Sequence, residues 1–430
     1  MKRKINIVTL GCSKNVVDSE KLLARFRSAG YSPIWDPGDT TADTVIINTC
    51  GFINDAKEES IDTILRFVKA KESGSVRKLY VMGCLSQRYK AELQKEIPEV
   101  DGYFGVNNPE EVLEITGGGF RDSLPDNRIL TNPGHYAYLK VSEGCNRHCA
   151  FCAIPSIRGR YVSRPVEKLE EEARRLADMG VREIILIAQD LGWYGLELYK
   201  KRKLPDLLHS LLRSENFSWI RLHYLYPDYF PEEIISLMRD NPQICKYIDI
   251  PIQHISDKML RLMKRSYGRR EAEELLYRLR EQLPGAAFRT TLISGHPGET
   301  DSDHRELADF VRQFRFDRLG VFRCSHEEGT YSGDRYSDDI TEKLKEERVS
   351  ELMAIQQSIS LEKNYSLAGR TMKVLIDRKE NEYYAGRTEF DSPEIDQEVL
   401  VPVQYDLKPG NFYDIRITQT AEFDLFGDPA

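Results

Sequence analysis

The sequence predicts a multidomain α/β protein: an N-terminal open parallel α/β sheet, a central partial (β/α)6 barrel and a C-terminal small antiparallel β-barrel. Short β-branched runs alternate with helix-sized intervals over most of the 430 residues, the pattern of βα units around parallel strands. The alternation comes in two series, four runs and then six, separated by the glycine- and proline-bearing stretch "TGGGFRDSLPDNRILTNPG". Beyond residue 367 the helical period is lost and strand-length runs alternate with turns. These breaks place domains at 1–125, 131–367 and 368–430, in keeping with a chain too long for one ordinary core.

In the first series the strands read "INIVTLG", "TVIINTCG", "LYVMGCL" and "GYFGVN", with amphipathic stretches such as "VDSEKLLARFRSAG" between them. Such a set forms a doubly wound sheet, whose ligands bind beyond the carboxyl ends of the strands. The second series reads "YAYLKVSEG", "REIILIAQD", "WIRLHYLYP", "YIDIPIQ", "FRTTLISG" and "RLGVFRCS". Six units are too few to close an eight-stranded barrel, and their active face is again the strand carboxyl ends. "TEKLKEERVSELMAIQQSISLEKNYSLAG" reads as a long amphipathic helix stopped by Gly369. The terminal barrel follows from "RTMKVLIDR", "EYYAGRTEF", "QEVLVPV" and "FYDIRITQTAEFDLF".

Composition narrows the function. The chain is 40% hydrophobic and 30% charged, and has no run of about 18 apolar residues to cross a membrane. "MKRKINIVTLGC" is short, β-branched and followed by polar residues, so it predicts a strand and not a signal peptide, and a cytoplasmic protein. Eight cysteines in such a chain point to metal binding or catalysis before disulfides. The net charge is -8, of which -6 falls in residues 368–430, which argues against a general nucleic-acid binder.

The strongest local signal is "SEGCNRHCAFCAIPSIRGR", with Cys145, Cys149 and Cys152 spaced C-x3-C-x2-C just after the first barrel strand. Three thiolates in eight residues can hold three corners of a cubane cluster and leave the fourth iron open. The competing reading is a structural zinc knot, which needs a fourth ligand; His148, beside Cys149, is the nearest. Cys12, Cys50 and Cys84 each fall at the carboxyl end of a separate parallel strand, so the topology brings them to one sheet rim. Three thiolates there suit a second, auxiliary cluster with an open iron; the bland alternative is three buried core thiols. Gly11, Gly51 and Gly83, one beside each, predict close backbone approach to a bulky inorganic core.

The 145–152 loop resembles the signature of the radical S-adenosylmethionine (SAM) superfamily, with Phe151 in the aromatic position before the last cysteine. That resemblance implies SAM bound through its amino and carboxylate groups at the open iron of a 4Fe-4S cluster, and cleaved to a 5'-deoxyadenosyl radical. It also makes Phe151, Gln189, Asp190 and Ser294 of "LISGHPGET" candidate cofactor contacts, with capping of nearby helices as the ordinary alternative. No side-chain acid or base is assigned.

Two open-iron clusters on one chain are the pattern of the methylthiotransferases within that superfamily. "TLGCSKNVVDSE", "NTCGFI", "GCNRHCAFCAIPSIRGRYVSR" and "DIPIQHISDKMLRLMKR" resemble that family, and the last module is similar to a TRAM domain. The resemblance implies two 4Fe-4S clusters and SAM as cofactors, with the auxiliary cluster on Cys12, Cys50 and Cys84. "TLGCSKNxxDSE" resembles the branch that modifies an aspartate β-carbon in protein twelve of the small ribosomal subunit. The acidic terminal barrel agrees, since an RNA-gripping one should be basic and a basic ribosomal protein complements an acidic surface. No membrane partner and no direct nucleic-acid specificity are expected, while an electron donor and a sulfur donor are required partners without a signature of their own. A tRNA-adenosine methylthiotransferase and a non-catalytic iron-sulfur sensor are the competing functions.

Ser13 stands where that family commonly has proline, and His296 where an aromatic is common in "GxPGE". Cys245 and Cys324 fit no ligand pattern and read as ordinary thiols. "PIQHISD" is expected to line the substrate side, with His254 either part of it or a satisfied packing residue.

Overall fold

Apolar residues at alternate positions of the first-series strands give each strand two buried faces, and the sheet they build is covered on both. In the computed structural model β1 (Lys4–Thr9), β2 (Ser32–Ile34), β3 (Thr44–Thr49), β4 (Lys78–Gly83) and β5 (Gly102–Tyr103) pair in the order β2-β1-β3-β4-β5, all parallel. One face, with Ile5, Ile7, Ile46, Tyr80 and Met82, buries Leu22, Leu23 and Phe26 of helix α1 (Ser13–Ser28). The other, with Val8, Val45, Ile47, Leu79 and Val81, buries Ile64 and Phe67 of α2 (Asn54–Glu72) and Leu85 and Leu93 of α3 (Cys84–Glu96). The three-residue β2 has no counterpart in the sequence reading, because Pro33 removes a ladder donor; it lies at the sheet edge, where a proline is tolerated.

The structure describes residues 3–106, 109–116, 127–213 and 217–430. The link anticipated before the second series, and the boundary at 125, fall largely at 117–126, outside the described residues. Two compact units divide the chain: Met1–Thr131 with Tyr138–Arg147 and Ala153–Val162, and Asn132–Ala137 with His148–Cys152 and Ser163–Ala430.

The second series gives β6 (Tyr136–Lys140), β9 (Glu183–Ile187), β10 (Trp219–Leu222), β11 (Tyr247–Asp249), β12 (Ala287–Ser294) and β13 (Arg318–Arg323). A two-stranded ribbon of β7 (Ser142–Glu143) and β8 (Val162–Ser163) falls between the first two. The six form two three-stranded sheets, β10-β9-β6 and β11-β12-β13, joined where Ile220 bridges Ile244. The partial six-stranded barrel is therefore split at its middle.

The long helix runs from Glu342 to Tyr365, starting at Thr341, whose side chain accepts from Leu344 N–H. It ends four residues before Gly369, and it is not amphipathic in the expected sense. Its buried stripe keeps helical spacing but is mostly polar: Lys345, Arg348, Leu352, Gln356, Ile359, Ser360 and Asn364. Its polar members have specific partners; Lys345 Nζ donates to Cys324 O and Asp338, Gln356 to Phe316 O, and Asn364 to Ala421 O, while Arg348 Nε and Gln356 Oε1 are buried without one.

β14 (Thr371–Glu380), β15 (Tyr383–Arg387), β16 (Glu398–Pro402), β17 (Phe412–Thr420) and β18 (Asp424–Pro429) close a five-stranded barrel. The final run splits into two strands, and the barrel is not wholly antiparallel: β16 and β18 pair in parallel, Glu398 opposite Asp424. A buried charge chain ties this barrel to the base of the βα strands. Arg221 Nε donates to Glu183 Oε1 at 2.7 Å, and Arg387 Nη1 reaches Glu183 Oε2 at 2.5 Å. Arg387 Nε donates to Asp377 Oδ2 at 2.7 Å, and His135 Nε2 meets Asp377 Oδ1 at the same distance. No helix among the described residues is long and apolar enough to cross a membrane.

Candidate functional site

In the first unit, β1, β3 and β4 are neighbours, and each hands its chain to a helix within a few residues of a cysteine. Cys12 is the N-cap of α1, Cys50 follows β3 four residues before α2, and Cys84 is the first residue of α3. The unpaired amide groups at such helix starts favour negative charge, and hence thiolate ligands. Asn15 and Asn48 lace the three turns together. Asn15 Nδ2 donates to Leu10 O at 2.8 Å and Thr49 O at 3.1 Å, and Asn48 Nδ2 to Asn15 O at 3.1 Å. Ser60 Oγ accepts from Cys50 N–H and donates to Cys50 O, fixing that turn.

The neighbouring glycines make room for the protein's own atoms. A β-carbon on Gly11 would stand 2.6 Å from Cys50 Cβ, and one on Gly83 would stand 2.5 Å from Thr49 O. Both have positive φ, +87° and +100°. Their consequence is indirect: the turns interlock, and the cysteines come together because of it.

Cys12 is exposed, whereas Cys50 and Cys84 are buried. Burial pushes the Cys84 thiol up to about 12, and also raises Cys50; Cys12 and Cys50 act on Cys84 as neighbouring charges. Cys12, open to solvent yet surrounded by protein on its other sides, is also desolvated by that crowding, but Lys14, Arg158 and the amides of Asn15 and Lys14 outweigh it and lower the thiol. No group of three or more His, Cys, Asp or Glu side chains among the described residues closes to the spacing of a single metal ion. The donor set at this rim, three thiols with a shared cation and helix starts, fits a larger cluster core in chemistry.

The cysteine-rich loop begins in the first unit at Cys145 and passes to the second at Cys149 and Cys152. In the first unit, Cys145 N–H donates to Gly159 O at 3.1 Å. In the second, Arg265 Nη1 donates to Cys149 Sγ at 3.3 Å, with Tyr226 Oη 4.0 Å from the same sulfur. Arg265 lies over Tyr226 and Tyr267, 4.2 and 5.2 Å from the ring centroids. Neither Tyr226 nor Arg265 was singled out by sequence; Arg265 closes the motif "DIPIQHISDKMLRLMKR", but nothing in that stretch says its arginine turns back to the loop.

Phe151 is half-buried in the loop. Gln189, half-buried, and Asp190, buried, follow β9, with Asp190 as N-cap of the turn Leu191–Trp193. Ser294 ends β12, and its buried Oγ has no hydrogen-bond partner. Two further orphan atoms lie in the adjoining turn: Gln253 Oε1 and His254 Nε2. Gln253 bridges Leu292 with φ of +68°, a strained conformation for a non-glycine residue. His254 Nδ1 accepts from Ile255 and Ser256 N–H, so the proton is on Nε2, and burial pushes the ring down to about 4. Buried polar atoms without partners are uncommon, and three at the carboxyl ends of adjacent strands suit a polar cofactor.

His296 occupies its aromatic position as an aromatic would, edge-on to Tyr336 at 5.9 Å, with Ser332 Oγ 3.2 Å from Nε2. Cys245 and Cys324 are both buried and pushed up to about 12 by that burial.

Comparison with known proteins fits this architecture part by part. Residues 4–105 match the uncharacterized protein family UPF0004, 139–311 the radical SAM superfamily and 368–429 the TRAM domain. Among solved structures, the cobalamin-binding radical SAM methyltransferase TsrM from Kitasatospora setae shares the fold. It has a TM-score of 0.57 at 14% identity, over 90% of this chain and 81% of that one. Fold and cysteine loop together define a radical SAM protein, a class whose cofactors are SAM and a 4Fe-4S cluster. Over its whole length the chain is 53% identical to the ribosomal protein uS12 methylthiotransferase RimO of Bacteroides fragilis, covering 100% of both. It is 52% identical to that of Cytophaga hutchinsonii, covering 99% of this chain and 98% of the relative. The chain belongs to the RimO family.

Proposed function

We propose that this protein methylthiolates the β-carbon of an aspartate in ribosomal protein uS12, using SAM and two 4Fe-4S clusters. The observation that carries the reading is the meeting of Cys12, Cys50 and Cys84 at three adjacent strand ends, in a chain that also bears the Cys145, Cys149 and Cys152 loop. When bound, the clusters and SAM supply the carbon-centred radical and the sulfur and methyl groups. The chain's own residues do the rest. Cys145, Cys149 and Cys152 hold the cluster that binds SAM, with Arg265 donating to Cys149. Ser294, Gln253 and His254 present buried polar atoms beside the cofactor, with Gln189, Asp190 and Phe151 as further contacts.

The domain assignment 1–125, 131–367 and 368–430 gives auxiliary cluster, radical chemistry and substrate binding one module each. The terminal module, with net charge -6, suits a basic ribosomal protein and acts in the cytoplasm, where that substrate is made. Mass spectrometry of uS12 from cells with and without this gene tests the reading. One added methylthio group on an aspartate, present only with the gene, is expected; an unmodified uS12 beside a gene-dependent methylthio group on tRNA overturns it.

A further inference from the structure

Arg158 ends the short helix Ile154–Arg158 and is 3% exposed. Its Nη2 donates to Asn15 Oδ1 at 2.6 Å; its Nη1 donates to Glu143 Oε1 at 2.7 Å and to Asp18 Oδ2 at 3.3 Å. Lys140 pairs with the same two carboxylates, so neither is left uncompensated. Toward the thiols, the same Asn15 Oδ1 also lies 4.0 Å from Cys84 Sγ, and the guanidinium charge acts on Cys84, Cys12 and Cys50 alike. Its surroundings are closely fitted: Ile157 packs with Cys84, and a β-carbon on Gly144 would stand 2.2 Å from Arg160 O.

A buried cation held by two carboxylates and an asparagine can neither swing away nor lose its proton. Beside a cluster its effect is directional. Reduction adds one negative charge, so a fixed positive neighbour favours the reduced state.

We infer that Arg158 is a positioning residue of the Cys12, Cys50 and Cys84 site, retaining the cluster there and raising its reduction potential. The inference rests on the proposed reading of those cysteines as cluster ligands. The sequence marks "IRGR" only as the tail of the other cysteine motif, and nothing in its spacing ties it to the first domain.

The test uses the full chain carrying Cys145→Ala, Cys149→Ala and Cys152→Ala, reconstituted anaerobically with iron and sulfide so that one site is loaded. About four irons per chain are expected in this parent; their absence fails the reading of the three cysteines and the inference with it. Arg158→Lys, Arg158→Met and the double variant Arg158→Met with Glu143→Gln are then compared by iron content, circular dichroism and redox titration followed by electron paramagnetic resonance. Arg158→Lys should keep the iron and nearly the parent midpoint. The double variant, which leaves no stranded Glu143 carboxylate, should keep its circular dichroism. It should either lose iron or lower the reduced-to-oxidised ratio at the parent midpoint at least tenfold, about 59 mV for one electron. A double variant with parent iron content and midpoint overturns the inference, since Arg158 would then serve only to neutralise Glu143.

Discussion

Gly51 and Leu85 meet backbone to backbone: a β-carbon on Gly51 would stand 2.6 Å from both N and Cα of Leu85. The turn after Cys50 is thereby pressed against the helix that begins with Cys84.

Gly51→Ala should force those two turns apart and cost about 1–3 kcal/mol of stability. Iron in the anaerobically reconstituted protein should fall from about eight per chain toward about four. Iron assay and chemical denaturation check both; an alanine variant that keeps both clusters would show that the close approach does not position the ligands.

The two cysteine sets should separate by readout. Replacing Cys145, Cys149 and Cys152 with alanine should abolish 5'-deoxyadenosine production. Replacing Cys12, Cys50 and Cys84 should leave that production measurable and abolish methylthio transfer to uS12. Both products are quantified by mass spectrometry in one assay, and transfer without the first-domain cysteines would remove the auxiliary cluster from the reaction.

Arg221→Met should destabilise the second unit by about 3–5 kcal/mol, because Glu183, with no solvent exposure, would keep only Arg387. Pairing it with Glu183→Gln in a double-mutant cycle should recover part of that loss. Additive losses in urea denaturation would show that the two side chains do not act as a pair.

His254 predicts a pH dependence of stability. Its folded-state value lies at about 4, below the ordinary 6.5, because burial disfavours the imidazolium more than Glu299 and Asp303 support it. The folded state therefore binds fewer protons, and the contribution is complete above about pH 6.5. It is lost as pH falls from there to about 4, by about 3 kcal/mol. His254→Asn keeps an acceptor for the Ile255 and Ser256 amides and removes the titration. The stability difference between wild type and variant should be flat above pH 7 and shift across pH 6.5 to 4; a difference constant over that window contradicts the assignment.

The series of parallel strands and the placing of the cysteines at their ends were legible because period-2 patterning and strand-end position are local properties of sequence. Contacts made through long side chains were not. Arg158 lies 143 positions from Asn15 and Arg265 lies 116 from Cys149, and neither spacing belongs to any local period. The glycines beside the cysteines were visible, yet their purpose was not, since the atoms they admit come from other turns. β2 escaped because three residues with a proline carry too little pattern, and the parallel closure of β16 on β18 because pairing direction is not written in a strand's composition. Family membership reached the same architecture through motifs, without the contacts that assemble it.

The helix Glu342–Tyr365 meets its neighbours through a lock of named partners in place of oil. An apolar stripe tolerates sliding by a turn, because one methyl group is much like another. Lys345, Arg348, Gln356 and Asn364 each have a separate address, on Cys324 O, Glu299 O, Phe316 O and Ala421 O. A slipped register would strand all four in a dry interior at once. The helix thus works as a ruler: the distance it sets between the last strand of the partial barrel and the start of the terminal barrel has a single permitted value.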